Sequence, residues 1–91
     1  MSASTEEFTK IRDRIMAFVR DELAGTTERD RVTATTPLLE AGILDSLGTT
    51  QLITWLRVEM GVKVPPMEMT GKNFRDVDRI TDLVVALRAT V

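Results

Sequence analysis

The sequence contains no cysteine, no histidine and no tyrosine. Without cysteine it can form no disulfide, no thiolate zinc site and no cysteine nucleophile. Without histidine it lacks the commonest general base and metal ligand. Only a carboxylate or Ser–Lys arrangement would be left for catalysis. These absences argue against a self-sufficient enzyme, and no catalytic residue or resident metal site is expected. Aromatic residues are scarce, with three Phe and one Trp. A core made instead of Leu, Ile, Val and Met suits packed helices better than a sandwich of strands. Long apolar runs are missing, and the first residues, MSASTEEFTK, are polar and acidic. A soluble, cytoplasmic protein with no membrane partner is expected. A basic excess is missing too. The formal net charge is −2, whereas a nucleic-acid binder of this size would carry a basic stripe. No nucleic-acid partner is expected.

What is present fits one small domain spanning residues 1–91. Charge is unevenly spread along it. Residues 32–71 hold two basic groups, Arg57 and Lys63, against four acidic ones, Glu40, Asp45, Glu59 and Glu68. Both ends are more densely and more evenly charged. The sparsely charged middle suits a surface that meets protein partners.

Periodicity predicts an all-α fold of three main helices plus one short one, with a long first loop. Ser4 and Glu7 have capping-box spacing, and Phe8, Ile11, Ile15, Phe18, Val19 and Leu23 recur at helical steps. A helix over 5–24 is predicted, with Gly25 as its C-cap. The next stretch, about 25–45, is broken by Thr, Gly and Pro, yet holds Val32, Leu38, Leu39, Ile43 and Leu44. A loop this long in a small domain is usually functional; these residues should pin it over the core. A second helix is expected over 46–60, burying Leu52, Ile53, Leu56 and Met60 and closed by Gly61. Its opposite side then carries Leu47, Thr54 and Val58, with Gln51 and Trp55 on a flank. A single-sided surface helix would be polar there. Pro65 and Pro66 stop any continuation. A short turn of helix over 72–75 should insert Phe74 into the core. The last helix is expected over 77–89, capped by Asp76 or Asp78, with Val77, Ile80, Leu83, Val84 and Leu87 as its buried stripe.

The chemistry lies in Thr36-Pro37-Leu38-Leu39-Glu40-Ala41-Gly42-Ile43-Leu44-Asp45-Ser46-Leu47. Ser46 stands where a long loop enters a helix, so its hydroxyl should be exposed at the positive end of that helix. A phosphodiester attached there would meet unpaired N–H donors. Asp45 beside it could hold a magnesium ion for a modifying enzyme, or meet that enzyme's basic groups. For the triplet Asp-Ser-Leu alone, the plain reading is that Ser46 is an N-cap.

The context changes that reading. The run resembles the Asp-Ser-Leu attachment site of acyl and peptidyl carrier proteins, and the upstream Pro-Leu-Leu-Glu-x-Gly-Ile-Leu, helix order, length and acidity fit the same family over about residues 5–90. The resemblance implies a carrier-protein helical bundle in which a phosphopantetheinyl transferase moves 4′-phosphopantetheine from coenzyme A onto Ser46, with Asp45 as its motif neighbour. The chemistry then belongs to the cofactor and to partner enzymes. That resolves how a chain without His or Cys takes part in metabolism.

Carriers of fatty-acid synthesis usually have a strongly acidic second helix, which this chain lacks. Instead, Glu59-Met60-Gly61-Val62-x-Val64-Pro65 and Thr70-Gly71-Lys72-x-Phe74 resemble the matching stretches of discrete prolyl carriers from pyrrole-containing antibiotic pathways, as does Gly42-Ile43-Leu44-Asp45-Ser46. That resemblance implies a monomeric carrier on which an adenylating ligase loads L-proline. A flavin-dependent dehydrogenase then oxidises the prolyl thioester to pyrrole-2-carboxyl, with a halogenase or an acyltransferase as further partners. Leu47, Gln51, Thr54, Trp55 and Val58 are the expected partner-binding residues. The alternatives are a discrete carrier of another amino or aryl acid and, from a different class, a helical adaptor without a prosthetic group.

Overall fold

The apolar residues of the first thirty positions recur at helical spacing, and the chain answers with a long helix. The computed structural model describes residues 2–25 and 29–89. Helix α1 covers Ser2–Phe18 and continues as a wider π-turn over Val19–Leu23. It therefore starts ahead of Ser4, inside whose expected capping box the helix already runs; the Ser4 side chain lies outside the described residues. Ile11, Ile15 and Val19 are buried along one stripe. The end also differs from expectation. Ala24, in extended conformation, closes the π-turn by donating its N–H to the Val19 carbonyl at 2.8 Å. Gly25 is not in the left-handed region that a glycine C-cap would use.

Helix α2 spans Ser46–Met60 and helix α3 spans Val77–Ala89. No strand occurs among the described residues. The architecture is thus the all-helical bundle expected from the residue pattern. Its core joins Ile11, Ile15 and Val19 of α1, Leu52 and Leu56 of α2, and Val77, Ile80, Leu83 and Val84 of α3. Helices α1 and α2 run antiparallel. Phe18 stacks on Trp55 with ring centroids 4.8 Å apart, while Arg14, one turn earlier, reaches Glu59, one turn later, at 3.9 Å. Leu87, expected in the α3 stripe, is only half-buried.

The short fourth helix expected over 72–75 is absent as such. Two short 3-10 turns occur instead, at Arg29–Arg31 in the long loop and at Pro66–Glu68, the second started by the fixed φ of proline. Residues 71–74 form a turn in which the Phe74 N–H donates to the Thr70 carbonyl at 3.1 Å. Phe74 is buried in the core.

The long loop is tied to the start of α3. The Asp78 N–H donates to the Ala34 carbonyl at 3.0 Å, and the Leu38 N–H to the Arg75 carbonyl at 2.8 Å. These bonds satisfy an end group of a helix that would otherwise lack a partner. Asp76 caps α3, its buried carboxylate accepting from the Arg79 N–H at 2.8 Å. Val32, Leu38, Ile43 and Leu44 are buried, whereas Leu39 is 44% exposed and does not pin the loop. The carbonyl of Leu38 accepts from the N–H groups of both Ile43 and Leu44, at 2.9 and 3.1 Å. The segment therefore coils around one buried leucine and delivers the chain to the start of α2. Gly42, at φ +75°, makes the reversal that this coil requires.

Candidate functional site at the start of the second helix

The coil ends at Asp45, which is extended (φ −117°, ψ −169°), and α2 begins one residue later. The Asp45 Oδ1 accepts the Gly48 N–H at 2.7 Å, and the Asp45 carbonyl accepts the Thr49 N–H at 2.8 Å. Asp45 is thus the N-cap, and Ser46 is the first residue inside the helix. The plain reading of Ser46 as the cap is corrected by this geometry. Capping is done by its neighbour, which leaves the Ser46 hydroxyl without a hydrogen bond among the described residues. The Ser46 side chain is exposed.

Two donors remain at this helix end. The backbone N–H groups of Ser46 and Leu47 have no hydrogen-bond partner among the described residues. Together with the positive end of the helix dipole they favour an anionic group attached at Ser46. An exposed nucleophilic oxygen beside unpaired donors fits a phosphodiester-linked prosthetic group.

Gly48 is the residue that the sequence reading missed here. A Cβ at this position would lie 3.2 Å from Asp45 Oδ1 and 3.5 Å from Leu23 Cδ2. The missing side chain lets the π-turn of α1 and the cap close together on the first turn of α2. The signal was available as an acid followed three residues later by glycine, the spacing of a cap and its donor.

Asp45 Oδ2 carries no hydrogen bond among the described residues, so it is available to a modifying enzyme. Capping and charge can be separated by substitution. Asp45→Asn keeps a carbonyl oxygen for the Gly48 N–H and should melt within a few degrees of the wild type. Asp45→Ala loses the cap and should cost about 1 kcal/mol. If the carboxylate serves the transferase, the Asn variant is modified about tenfold more slowly, as read by intact mass over time. Modification at the wild-type rate would leave Asp45 with capping alone.

The remaining candidate residues share the outer side of α2. Leu47 and Val58 are 68% and 67% exposed, and Gln51 and Thr54 are exposed between them. Trp55 is half-buried: one face stacks on Phe18 and the Arg14 guanidinium lies 5.8 Å from its ring centroid. Beside it runs a trough of about 460 Å³ lined by Phe18, Gln51, Thr54, Trp55, Val58 and Glu59, among others. Thr49, three residues after Ser46, lines a smaller hollow of about 160 Å³ with Leu39, Met69 and Phe74. No group of acids able to hold a metal ion occurs among the described residues. Nor is any helix there long and apolar enough to cross a membrane.

Residues 17–88, well over half of the chain, match the family model described as the phosphopantetheine attachment site. No curated protein matches the chain.

Proposed function

The chain belongs to the phosphopantetheine-attachment family and is a carrier protein, and from that premise we propose that Ser46 bears the arm and that the cargo is L-proline, oxidised in place to pyrrole-2-carboxyl. The observation that carries the site is the division of labour at α2. Asp45 caps the helix, while the exposed Ser46 hydroxyl is left uncommitted. Family members attach 4′-phosphopantetheine, whose terminal thiol supplies the thioester chemistry. This chain's own residues present the attachment oxygen, offer two backbone donors beside it and meet the partner enzymes.

The cargo reading is supported by the likeness of Glu59–Pro65 and Thr70–Phe74 to the same stretches of prolyl carriers. Within them Val62, Val64 and Phe74 are buried, while Lys63, Thr70, Gly71 and Lys72 are exposed. The exposed positions are the ones a partner enzyme can read. The partners are a phosphopantetheinyl transferase, a proline-adenylating ligase and a flavin-dependent dehydrogenase, with a halogenase or acyltransferase acting later.

The test is made on the prolyl-loaded protein, offered to a flavin dehydrogenase of a pyrrole pathway. Two successive two-electron oxidations pass electrons to the flavin, and the thioester loses four hydrogens, which mass spectrometry detects. A carrier loaded efficiently with a different acid, and untouched in its prolyl form, would remove the pyrrolyl reading and leave carrier function standing.

Docking is tested separately. Thr54→Glu and Val58→Glu alter exposed positions, so the melting temperature should hardly move. Loading by the ligase should slow about tenfold if this face is the contact. Unfolding of either variant, or loading at the wild-type rate, would reject the assignment.

A further inference from the structure

Thr54 is a ridge between two troughs of opposite character. At about 100° per residue, Ile53 and Arg57 fall on one side of it, and Gln51, Trp55 and Val58 on the other. The Trp55 side is lined by two acids, Glu22 and Glu59, and its one neighbouring cation, Arg14 at the Trp55 ring, is paired with Glu59. The Ile53 side is a groove of about 510 Å³ between α2 and the segment 62–66, which leads into the 3-10 turn. Its charged liners are Arg57 and Lys63 alone. Its apolar liners include Val62 and Val64, both buried, and the half-buried Ile53 and Pro65.

These two cations are also the only basic residues between positions 32 and 71. Both are exposed, and neither makes an ion pair among the described residues. Five of the other cations are paired: Arg12 with Asp13, Arg14 with Glu59, Arg29 with Asp21, Arg79 with Asp82 and Arg88 with Glu7. Lys10, Arg20, Arg31, Lys72 and Arg75 make no ion pair among the described residues, like Arg57 and Lys63, but none of them lines this groove. Two unpaired cations flanking an apolar floor, on an otherwise acidic stretch, match a segment with carboxylates beside apolar side chains. Two charges on a chain of net charge −2 are too few for a nucleic-acid backbone.

We propose that the groove between α2 and residues 62–66 is a second docking site, which takes an acidic, apolar-faced segment of a partner enzyme. The complementary charges speed encounter and fix orientation, and Ile53, Val62, Val64 and Pro65 receive the apolar side chains. A carrier with such a site can meet enzymes of opposite surface charge on the two flanks of one helix. The inference rests on the reading of the chain as a carrier that docks to enzymes, but its test needs neither cargo nor prosthetic group.

Two synthetic amphipathic helical peptides with the same leucine face serve as probes, one flanked by glutamates and the other by lysines. Each is titrated into isotope-labelled, unmodified protein, and the backbone amide shifts are followed by NMR. The glutamate peptide should bind more tightly and move the amides of Ile53, Arg57, Val62, Lys63 and Val64. In R57E/K63E its affinity should fall about tenfold and the lysine peptide should gain; R57Q/K63Q should give an intermediate loss and serves if the double reversal does not fold. Equal binding of both peptides, no binding of the glutamate peptide, shifts centred on Gln51, Trp55 and Val58, or an affinity unmoved by the substitutions would each overturn the proposal.

Discussion

Ser46→Ala should abolish the phosphopantetheinyl mass shift that transferase and coenzyme A produce, while leaving the fold intact. The loss is expected to be complete, because the hydroxyl oxygen is the atom that forms the phosphodiester and Ala has none. The preserved fold follows from the geometry of α2. The cap is supplied by Asp45, and the Ser46 side chain makes no hydrogen bond among the described residues. Replacing an exposed first-turn serine by the best helix former should change stability by no more than about 0.5 kcal/mol. Circular dichroism and melting of the variant should therefore overlay the wild type. A variant that is still modified would place the arm on another hydroxyl. A variant that unfolds would mean that Ser46 has a structural partner.

Leu38→Ala should be the most destabilising single truncation in the approach to the site. Its side chain is fully buried, and removing it leaves a cavity in a well-packed core, at a cost of about 2–5 kcal/mol. A domain of this size has only about 5–14 kcal/mol in total. The melting temperature should fall by about 10 °C or more. The backbone bonds from Leu38 to Arg75, Ile43 and Leu44 hold the coil that presents Asp45 and Ser46. Loss of that anchor should slow modification as well. Leu39→Ala is the matched control: its side chain is 44% exposed, and its cost should stay below about 1 kcal/mol. If the two variants melt alike, Leu38 does not hold the loop.

That pair also shows where the sequence stopped being readable. Helical positions are periodic, so sequence alone assigns Leu52 and Leu56 to the core of α2 and Val58 to its outside, although Ile53 and Met60, expected to be buried beside them, are only half-buried. The loop has no period. Adjacent leucines at 38 and 39 look alike in sequence, and it is Leu38 that the backbone bonds to Arg75, Ile43 and Leu44 hold inward. The site had the same difficulty on a smaller scale. Asp45 and Ser46 are both good capping residues in adjacent positions, and sequence could not say which would cap. The outcome matters, because the residue that does not cap keeps a free hydroxyl. The Gly25 cap and the helix over 72–75 failed for a related reason. Glycine permits a left-handed cap without requiring one. Near Pro65 and Pro66 the short helical turn formed where proline had already set φ.

The arginine and lysine of the 62–66 groove were visible in the sequence, but not their relation to one another. Arg57 belongs to a helix and Lys63 to the segment that follows it, and only the left-handed Gly61 at φ +65° folds the second beside the first. Composition gave the count of two cations in an acidic stretch. Geometry gave the groove.

The central claim, that Ser46 is the point of attachment, is tested most directly on the unaltered protein. It is incubated with a phosphopantetheinyl transferase and coenzyme A, digested, and sequenced by tandem mass spectrometry. The account predicts one added phosphopantetheinyl group per chain, borne by the peptide containing Gly42–Leu47 and fragmenting at Ser46. An unmodified chain, or a group mapped to any other serine or threonine, would contradict it.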